Sequence, residues 1–248
     1  MTSVVLIVLL VLQMKHSSSQ AGFAKISYLC ICAQGILDAV VCIGHMLLCA
    51  AIPSVFFFHF IWVAILSLLL FSVFEMKTVI NIFQARYSGE DFSMMRRRLT
   101  SLQTKFYCIL MVVMGCIFLF QHWPIVLVFL LYSVWVPQIV HSAKTGVRKP
   151  LLDYYYIGTG VCRLYIPLYI LGCPENIFSQ ISDNFRVDVF AVLMLVLWTG
   201  LQLTVLYLQD KIGPRFFVPE SWLPEVRLFN AINFINFSLI SSNLFFAI

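Results

Sequence analysis

Apolar stretches that approach the length of a membrane span follow one another along most of this chain. A helix needs about 20 mostly apolar residues to cross a bilayer, and the stretches near that length are 2–14, 26–50, 54–74, 106–121, 123–140, 152–172 and 187–208. Hydrophobic residues make up 61% of the sequence and charged residues only 11%, whereas a soluble domain carries about a quarter charged residues. The sequence therefore predicts an all-α polytopic membrane protein with roughly seven transmembrane helices.

The first apolar stretch begins at the initiating Met and is shorter than a full span. It has two interpretations, the core of a signal peptide or a first span that has lost its luminal part. A signal peptide carries its positive charge before the apolar core, but here Lys15 and His16 follow it. We therefore favour a truncated first span.

Basic residues are distributed unevenly among the predicted loops. Cytoplasmic loops of membrane proteins carry an excess of Lys and Arg. If the seven spans cross the membrane in alternating directions, the loops after spans one, three, five and seven lie on the same side of the membrane. That side holds all of the 16 basic residues except Arg163, which lies inside a span, and Arg186, which lies on the other side. The pattern predicts a luminal N-terminus and a cytosolic C-terminus.

Two ionisable residues interrupt the predicted spans. Asp38 lies in the middle of the second span and Arg163 in the middle of the sixth. Charged groups at this depth are costly and usually face the interior of a bundle with a partner. Asp38 and Arg163 are therefore predicted to pair between spans two and six, or to line a groove that contacts substrates. The alternative role, a static tether between the helices, is favoured.

The segment 75–107 connects the third and fourth spans. Residues 75–84 are predicted to extend the third span beyond the bilayer, and Arg96, Arg97 and Arg98 to begin a juxtamembrane helix. These arginines have two interpretations. We favour a role in setting the topology and contacting lipid over a role as a binding site for a specific partner.

A proline follows the apolar part of the fifth span. Pro137 predicts a kink at the cytosolic end of this helix, with Gln138 free to bond the exposed carbonyl groups. A Pro-Gln pair at a helix end resembles the PQ-loop and SWEET-like seven-span proteins, and a simple kink before a basic loop is the alternative. Lys144, Arg148 and Lys149 in that loop are predicted to contact anionic lipid headgroups.

The eight cysteines do not form a metal-binding pattern. Structural zinc sites need paired ligands at C-x2-4-C spacing, and no such pair occurs in this sequence. The cysteines are interpreted as small apolar packing residues. The sequence predicts no catalytic residue, no metal ligand, no cofactor and no nucleic-acid partner in this chain.

A proline-rich segment follows the last predicted span. The stretch QDKIGPRFFVPESWLPEV, 209–226, cannot continue a helix because proline removes a backbone donor. We call residues 210–227 the collar and expect this segment to lead into a further cytosolic domain. Its distinctive residues are Gly213, Pro214, Arg215, Phe216, Phe217, Pro219 and Pro224.

Six ordered stretches of this sequence resemble the membrane domain of a known family. They are 12–27, 71–86, 94–107, 135–151, 163–177 and 208–225. In order and spacing they resemble the RING-type transmembrane E3 ubiquitin ligases of Golgi and endosomal membranes, which include the ligase subunit of the fungal Dsc complex and the plant Flying Saucer proteins. The resemblance covers about residues 3–227.

The resemblance implies a large luminal N-terminal region, a SWEET-like seven-span bundle and a cytosolic RING finger. In this family the RING binds two zinc ions and recruits a ubiquitin-conjugating enzyme. The membrane domain engages substrates and partner membrane subunits. The segment that corresponds to residues 213–219 directly precedes the RING, so the collar is expected to lead to one.

The sequence departs from the family after Arg227. Residues 228–248 carry no charge and offer no zinc ligands; they are interpreted as a gene-model artefact, with an eighth span as the alternative. The predicted organisation is a membrane domain at 1–209, the collar at 210–227 and an atypical tail at 228–248. We expect this chain to be the membrane part of an E3 ligase in the Golgi or endosomes. On its own, the chain is expected to be inactive as an enzyme. The alternatives are a SWEET-like or PQ-loop transporter of small solutes and a non-catalytic scaffold subunit.

Overall fold

The computed structural model describes residues 2–51, 57–87, 91–119, 124–174 and 187–219. Within these ranges the chain is helical and contains no β-strand. The helices are α1 (Thr2–His16), α2 (Gln20–Ala24), α3 (Tyr28–Ala51), α4 (Phe57–Leu69), a π-helical segment (Leu70–Glu75), α5 (Met76–Arg86), α6 (Phe92–Leu119), α7 (Pro124–Leu131), α8 (Val136–Thr145), α9 (Asp153–Gly172) and α10 (Val189–Lys211).

The all-helical membrane class predicted from the sequence is confirmed. In the described part of the chain, four helical stretches are long and apolar enough to cross a bilayer, namely Tyr28–Ala51, Phe57–Arg86, Ser93–Leu119 and Val189–Lys211. A fifth is present if α7 and α8, bent by 40°, form one span. The shorter α1 and the more polar α9 coincide with the first and sixth predicted spans. The number seven stays a prediction.

Several expectations lie outside the described residues. They concern Arg186, Pro224 and the tail 228–248. The chain divides into two compact units, residues 1–214 and 215–248. In the second unit, the described residues Arg215 to Pro219 form a turn in which the Val218 amide donates to the Arg215 carbonyl at 3.0 Å.

Helix ends in the first unit follow ordinary capping chemistry. The Asp188 carboxylate accepts a hydrogen bond from the Ala191 amide at 2.9 Å and begins α10, since acidic side chains satisfy the free amides of a first turn. At the end of α8, Gly146 adopts a φ of 68°. This left-handed conformation at a helix C-terminus favours glycine.

The core lies where α1, α3, α9 and α10 meet. Its most buried large side chains include Trp135, Tyr155 and Tyr156, and the Trp135 ring packs edge-on against both tyrosines. Such aromatic side chains bury the largest apolar areas available to a chain. Most of the remaining members of the same cluster are aliphatic, such as Leu10, Ile26, Ile31, Leu70, Ile82 and Leu195.

One end of the bundle gathers many of the basic residues, and we call it the basic end. It is formed by the C-termini of α1, α5, α8 and α10 and the N-termini of α3, α6 and α9. Arg86 at the end of α5 donates to the Ile26 carbonyl before α3 at 2.7 Å. Arg148 donates to the Asp210 carbonyl in the last turn of α10 at 3.0 Å. These contacts hold the helix ends at a common level.

Candidate functional site: a buried charge cluster

Arg163 of α9 forms a salt bridge with Asp38 of α3 inside the bundle. Its Nη2 atom lies 2.5 Å from Asp38 Oδ2, and its Nε donates to Oδ1 at 3.3 Å. The guanidinium thus contacts both carboxylate oxygens, the fork geometry that makes arginine–carboxylate pairs strong and directional. The structure therefore brings together the two intramembrane charges singled out in the sequence.

A second carboxylate, Glu75, also contacts Arg163. Nη2 of Arg163 lies 3.0 Å from Glu75 Oε1. Glu75 is the last residue of the π-helical segment Leu70–Glu75, within the continuous helical stretch from Phe57 to Arg86. A π-helical turn holds one more residue than an α-helical turn and often occurs at functional positions. Here it brings both Leu70 and Glu75 to the buried side.

Two neutral side chains complete the arrangement, which we call the charge cluster (Arg163, Asp38, Glu75, Gln34 and Tyr155). Gln34 Oε1 accepts from Arg163 Nη1 at 2.8 Å and from the Tyr155 hydroxyl at 2.9 Å. Gln34 precedes Asp38 by four residues, so both side chains leave the same face of α3. The cluster therefore joins α3, α9 and the end of the π-helical segment through one guanidinium.

The charge cluster is almost completely removed from the surface of the bundle. The exposed fractions are 6% for Arg163, 4% for Asp38 and 2% for Glu75. Two carboxyl groups thus face one guanidinium. Glu75 Oε2 has no hydrogen-bond partner among the described residues. Because a buried charge without a partner is costly, this oxygen is the least satisfied atom of the cluster.

The cluster lies deep within the bundle as measured from the basic end. Arg163 is ten residues beyond the start of α9, and Asp38 is ten residues beyond the start of α3, which is roughly 15 Å at 1.5 Å per residue. The hydrocarbon layer is about 30 Å thick. If the basic end marks the membrane surface, the charged groups lie near the middle of the bilayer.

A small cavity adjoins the salt bridge between Arg163 and Asp38. Its volume is about 20 Å³ and its polar lining includes Thr2, Ser3, Ser67 and the backbone-bonded Tyr132. The Ser3 and Ser67 hydroxyls lie 3.5 Å apart. This volume can hold one ordered water, which would have hydrogen-bonding groups around it on several helices.

Gln138 has a different role from the one predicted beside the Pro137 kink. The helix bends by 40° between α7 and α8, and Pro137 lies in the first turn of α8, where its missing amide costs nothing. Gln138 does not bond the carbonyls freed by the break. It accepts from the Ser27 amide at 2.8 Å and donates to the Ser142 hydroxyl at 3.1 Å.

Gln202 of α10 takes the role that was expected of Gln138. Its Nε2 donates to the Tyr132 carbonyl at 3.0 Å, and its Oε1 accepts from the Trp135 amide at 3.2 Å. The break between α7 and α8 is thus satisfied by a side chain from another helix. Irregular backbone at membrane depth requires such buried partners.

The start of the collar is held by side chains of the first unit. Gln209 Nε2 donates to the Pro214 carbonyl at 3.0 Å, and Arg148 Nη2 donates to the Lys211 carbonyl. In the second unit, the Phe216 and Phe217 rings pack edge-on with centroids 5.1 Å apart. No disulfide links any of the eight cysteines, all of which lie among the described residues.

Three members of the cluster, Glu75, Gln34 and Tyr155, were not predicted from the sequence. Glu75 was expected beyond the bilayer because it is the first charge after an apolar stretch. The structure corrects this placement, since Glu75 is buried against Arg163. The spacing of Gln34 and Asp38 on one helical face was the available signal for Gln34.

Comparison with known proteins decides the family. The family described as "Transmembrane E3 ligase/DUF2921 transmembrane domain" matches residues 1–222. The chain belongs to this transmembrane E3 ligase family.

Characterised members of the transmembrane E3 ligase family are similar over most of this chain. The transmembrane E3 ubiquitin-protein ligase FLY1 of Arabidopsis thaliana is 38% identical over 222 residues, which is 88% of this chain and 38% of FLY1. FLY2 of the same plant is also 38% identical, over 88% of this chain and 39% of FLY2.

A fungal relative extends the comparison beyond plants. The DSC E3 ubiquitin ligase complex subunit 1 of Schizosaccharomyces pombe is 36% identical over 126 residues, covering 48% of this chain and 17% of that protein. The chain thus spans well under half the length of these curated relatives. No solved structure matches the chain.

Proposed function

We propose that this chain is the membrane-embedded part of a RING-type E3 ubiquitin-protein ligase. The observation that carries the proposal is the family match over residues 1–222, together with relatives named as transmembrane E3 ligases. In this proposal, a RING with two zinc ions beyond the collar recruits a ubiquitin-conjugating enzyme. The described bundle then binds membrane substrates and partner subunits. The 248 residues alone do not transfer ubiquitin.

The proposed topology has seven spans in a SWEET-like bundle, with the N-terminus in the lumen and the collar in the cytosol. Its support is the agreement between helix positions and predicted spans, with α7 and α8 counted as one span. Further support comes from the basic end, where the contacts of Arg86 and Arg148 gather positive charge on one side. Such an excess of Lys and Arg is typical of the cytoplasmic side.

The proposed location is the endomembrane system, in the Golgi or endosomes. The names of fungal relatives as subunits of a DSC E3 ubiquitin ligase complex support assembly with partner membrane subunits. Lipid is the other partner, because large apolar side chains such as Phe58, Met111 and Leu119 lie on the outer surface.

The charge cluster is proposed to fix the rotation of α3, α9 and the helix that contains Glu75. Buried ionic groups add little stability but can impose a unique arrangement on helices. Because every contact of the cluster passes through Arg163 or Gln34, a rotation of either helix would break several contacts together. A rigid bundle of this kind gives partner helices a defined surface.

The test compares the chain with a chimera that carries a RING domain. We expect no ubiquitin transfer when residues 1–248 are reconstituted with activating enzyme, conjugating enzymes and ubiquitin. A chimera with a RING domain joined after the collar should ubiquitinate itself and co-reconstituted membrane partners. Transfer by residues 1–248 alone, or a chimera that ubiquitinates itself but never associates with another membrane protein, contradicts the proposal.

A separate measurement addresses the transporter alternative. The cavity beside Arg163 has a volume of about 20 Å³, which fits a water and not a sugar. We therefore expect no counterflow uptake of sugars by proteoliposomes that contain the chain. Saturable uptake abolished by Arg163→Ala would favour the transporter instead.

A further inference from the structure

The helices α6 and α10 carry charged residues to different depths. α10 carries no charged residue from Val189 to Leu208, about 20 residues or roughly 30 Å, which matches the hydrocarbon layer. On α6 the charge-free part begins only at Phe106, directly after Lys105. Charged residues on α6 therefore extend roughly 20 Å from the start of this helix at Phe92.

The start of this charge-free part of α6 lies level with the charge cluster. A Cβ atom added to Gly35 would lie 3.0 Å from Glu75 Oε2 and 3.3 Å from the Phe106 ring. Phe106 thus packs beside Glu75, and Thr104 lies roughly 3 Å further toward the basic end. The polar part of α6 begins at the level of the buried charges.

α10, which packs against α7, α8 and α9, carries no charged residue at the same level. A Cβ atom added to Gly160 would lie 2.9 Å from Leu203 of α10, and Gly160 lies about one turn from Arg163 toward the basic end. The neighbouring Thr204 is therefore within about 6 Å of the level of Arg163. Thr104 and Thr204 lie at nearly the same depth on two helices of one bundle.

The outer surface of α5 and α6 is polar from this level to the basic end. Its exposed residues include Lys77, Gln84, Ser101, Gln103, Thr104 and Lys105. Lys side chains can extend toward a membrane surface, but the Gln103 side chain is shorter. Exposing its amide and two lysines to hydrocarbon would be costly.

A second observation lies at the inner end of this polar surface. Glu75 Oε2 faces Gly35 beside Phe106 and has no hydrogen-bond partner among the described residues. An unpaired buried acceptor usually indicates an unseen donor such as water. Water that reaches the level of Phe106 along α6 would supply that donor.

We propose that the membrane is locally thinned along α5 and α6, with anionic phospholipid headgroups descending to the level of Lys77 and Lys105. Charge selects the occupant, because both lysines are exposed, as are Arg96 and Arg97 nearer the basic end. Each basic residue near a membrane surface attracts anionic lipid by about 1 kcal/mol. This proposal depends on the bundle lying in a bilayer and is independent of any ligase activity.

Thiol accessibility tests the proposed thinning with a matched pair of residues. Thr104 and Thr204 are both exposed, and each hydroxyl bonds the carbonyl four residues earlier, at 3.0 and 2.8 Å. Thr104→Cys and Thr204→Cys are made in the full chain with the exposed Cys108 changed to Ala. Each variant is reconstituted in vesicles, and its rate of labelling by a charged maleimide is measured. The labelling of the parent chain, which has the same native thiols, is subtracted.

We expect Cys at position 104 to react at least about tenfold faster than Cys at position 204, because thiolate and reagent need water. Ser101→Cys, roughly 4.5 Å nearer the basic end, should react faster still. Equal rates at 104 and 204, with both variants eluting as the parent chain does, would overturn the proposal.

The occupant is tested by lipid retention. The chain is purified from phosphatidylcholine vesicles that contain about 30 mol% phosphatidylserine, an anionic lipid of cytoplasmic leaflets, and bound lipid is quantified. The Lys77→Gln/Lys105→Gln variant should retain at least about twofold less phosphatidylserine than the Lys15→Gln/Lys25→Gln variant, which removes the same charge elsewhere. Equal retention by the two variants would exclude anionic headgroups as the occupant.

Discussion

Arg163 Nη2 lies 2.5 Å from Asp38 Oδ2, although 125 residues separate the two in the sequence. This contact joins α9 to α3 at a depth where neither charge could be left alone. The same nitrogen lies 3.0 Å from Glu75 Oε1. One guanidinium therefore determines how three helical stretches are rotated against one another.

Removing Arg163 should be the most damaging single change in the bundle. Arg163→Ala leaves Asp38 and Glu75 buried without their cation, and breaking a buried pair in this way costs about 3–5 kcal/mol. The midpoint of thermal unfolding in detergent micelles measures the loss. An exposed arginine on α6 provides the control, since Arg97→Ala should change stability by no more than about 0.5 kcal/mol.

The charge-reversed pair should recover part of this loss. Asp38→Arg alone places two cations together, whereas Asp38→Arg with Arg163→Asp restores one attractive contact. We expect the double variant to be more stable than the sum of the two single effects predicts by about 1–3 kcal/mol, a coupling typical of residues in contact. Additive effects of the two changes would show that the two side chains do not interact.

The two carboxyl groups should differ in their response to neutral replacement. Asp38 meets Arg163 with both oxygens, whereas Glu75 uses only Oε1 and its other oxygen has no partner in the described structure. Asp38→Asn should therefore cost about 2 kcal/mol or more, and Glu75→Gln less than about 1 kcal/mol. A larger loss for Glu75→Gln in the same unfolding assay would contradict this ranking.

A methyl group beside Glu75 should disturb the packing of α3. In Gly35→Ala the new Cβ would lie 3.0 Å from Glu75 Oε2 and 3.3 Å from Phe106, and overpacking of this kind costs about 1–3 kcal/mol. Gly44, on the same helix, has no atom within 4 Å of the added Cβ. Gly44→Ala should thus be neutral or stabilising by up to about 1 kcal/mol, and equal effects of the two changes would refute the predicted crowding.

Gln202 should be needed to protect the break between α7 and α8. Gln202→Leu leaves the Trp135 amide and the Tyr132 carbonyl without their side-chain partner, which costs about 1–3 kcal/mol. Hydrogen exchange measured by mass spectrometry should show faster exchange in peptides that contain Trp135. Gln103→Leu on the exposed surface of α6 should leave exchange in the same peptides unchanged.

The sequence predicted the positions of the helices well because hydropathy is a local property. It also indicated Asp38 and Arg163, since an isolated charge in an apolar stretch needs a partner. Gln138 and Gln202 were not distinguished, because both are glutamines near helix ends and only the folded chain decides which of them reaches the break.

Glu75 was misplaced for a different reason. A regular helical periodicity continued from the third apolar stretch gives no sign that the turn at Leu70–Glu75 is wider than the others. Without that turn, the faces of the following residues are assigned incorrectly. The family resemblance could not help, because it supplies the order of segments and not the phase of a helix.

The wide turn at Leu70–Glu75 also affects how this chain is compared with its relatives. One additional residue rotates everything after it by about 100° relative to an uninterrupted α-helix. A relative with an ordinary turn here would need one residue fewer, and an alignment without that gap would shift the lipid-facing and core-facing positions assigned to α5 by one residue. Substitutions at Lys77 and Thr78 would then be attributed to the wrong environment.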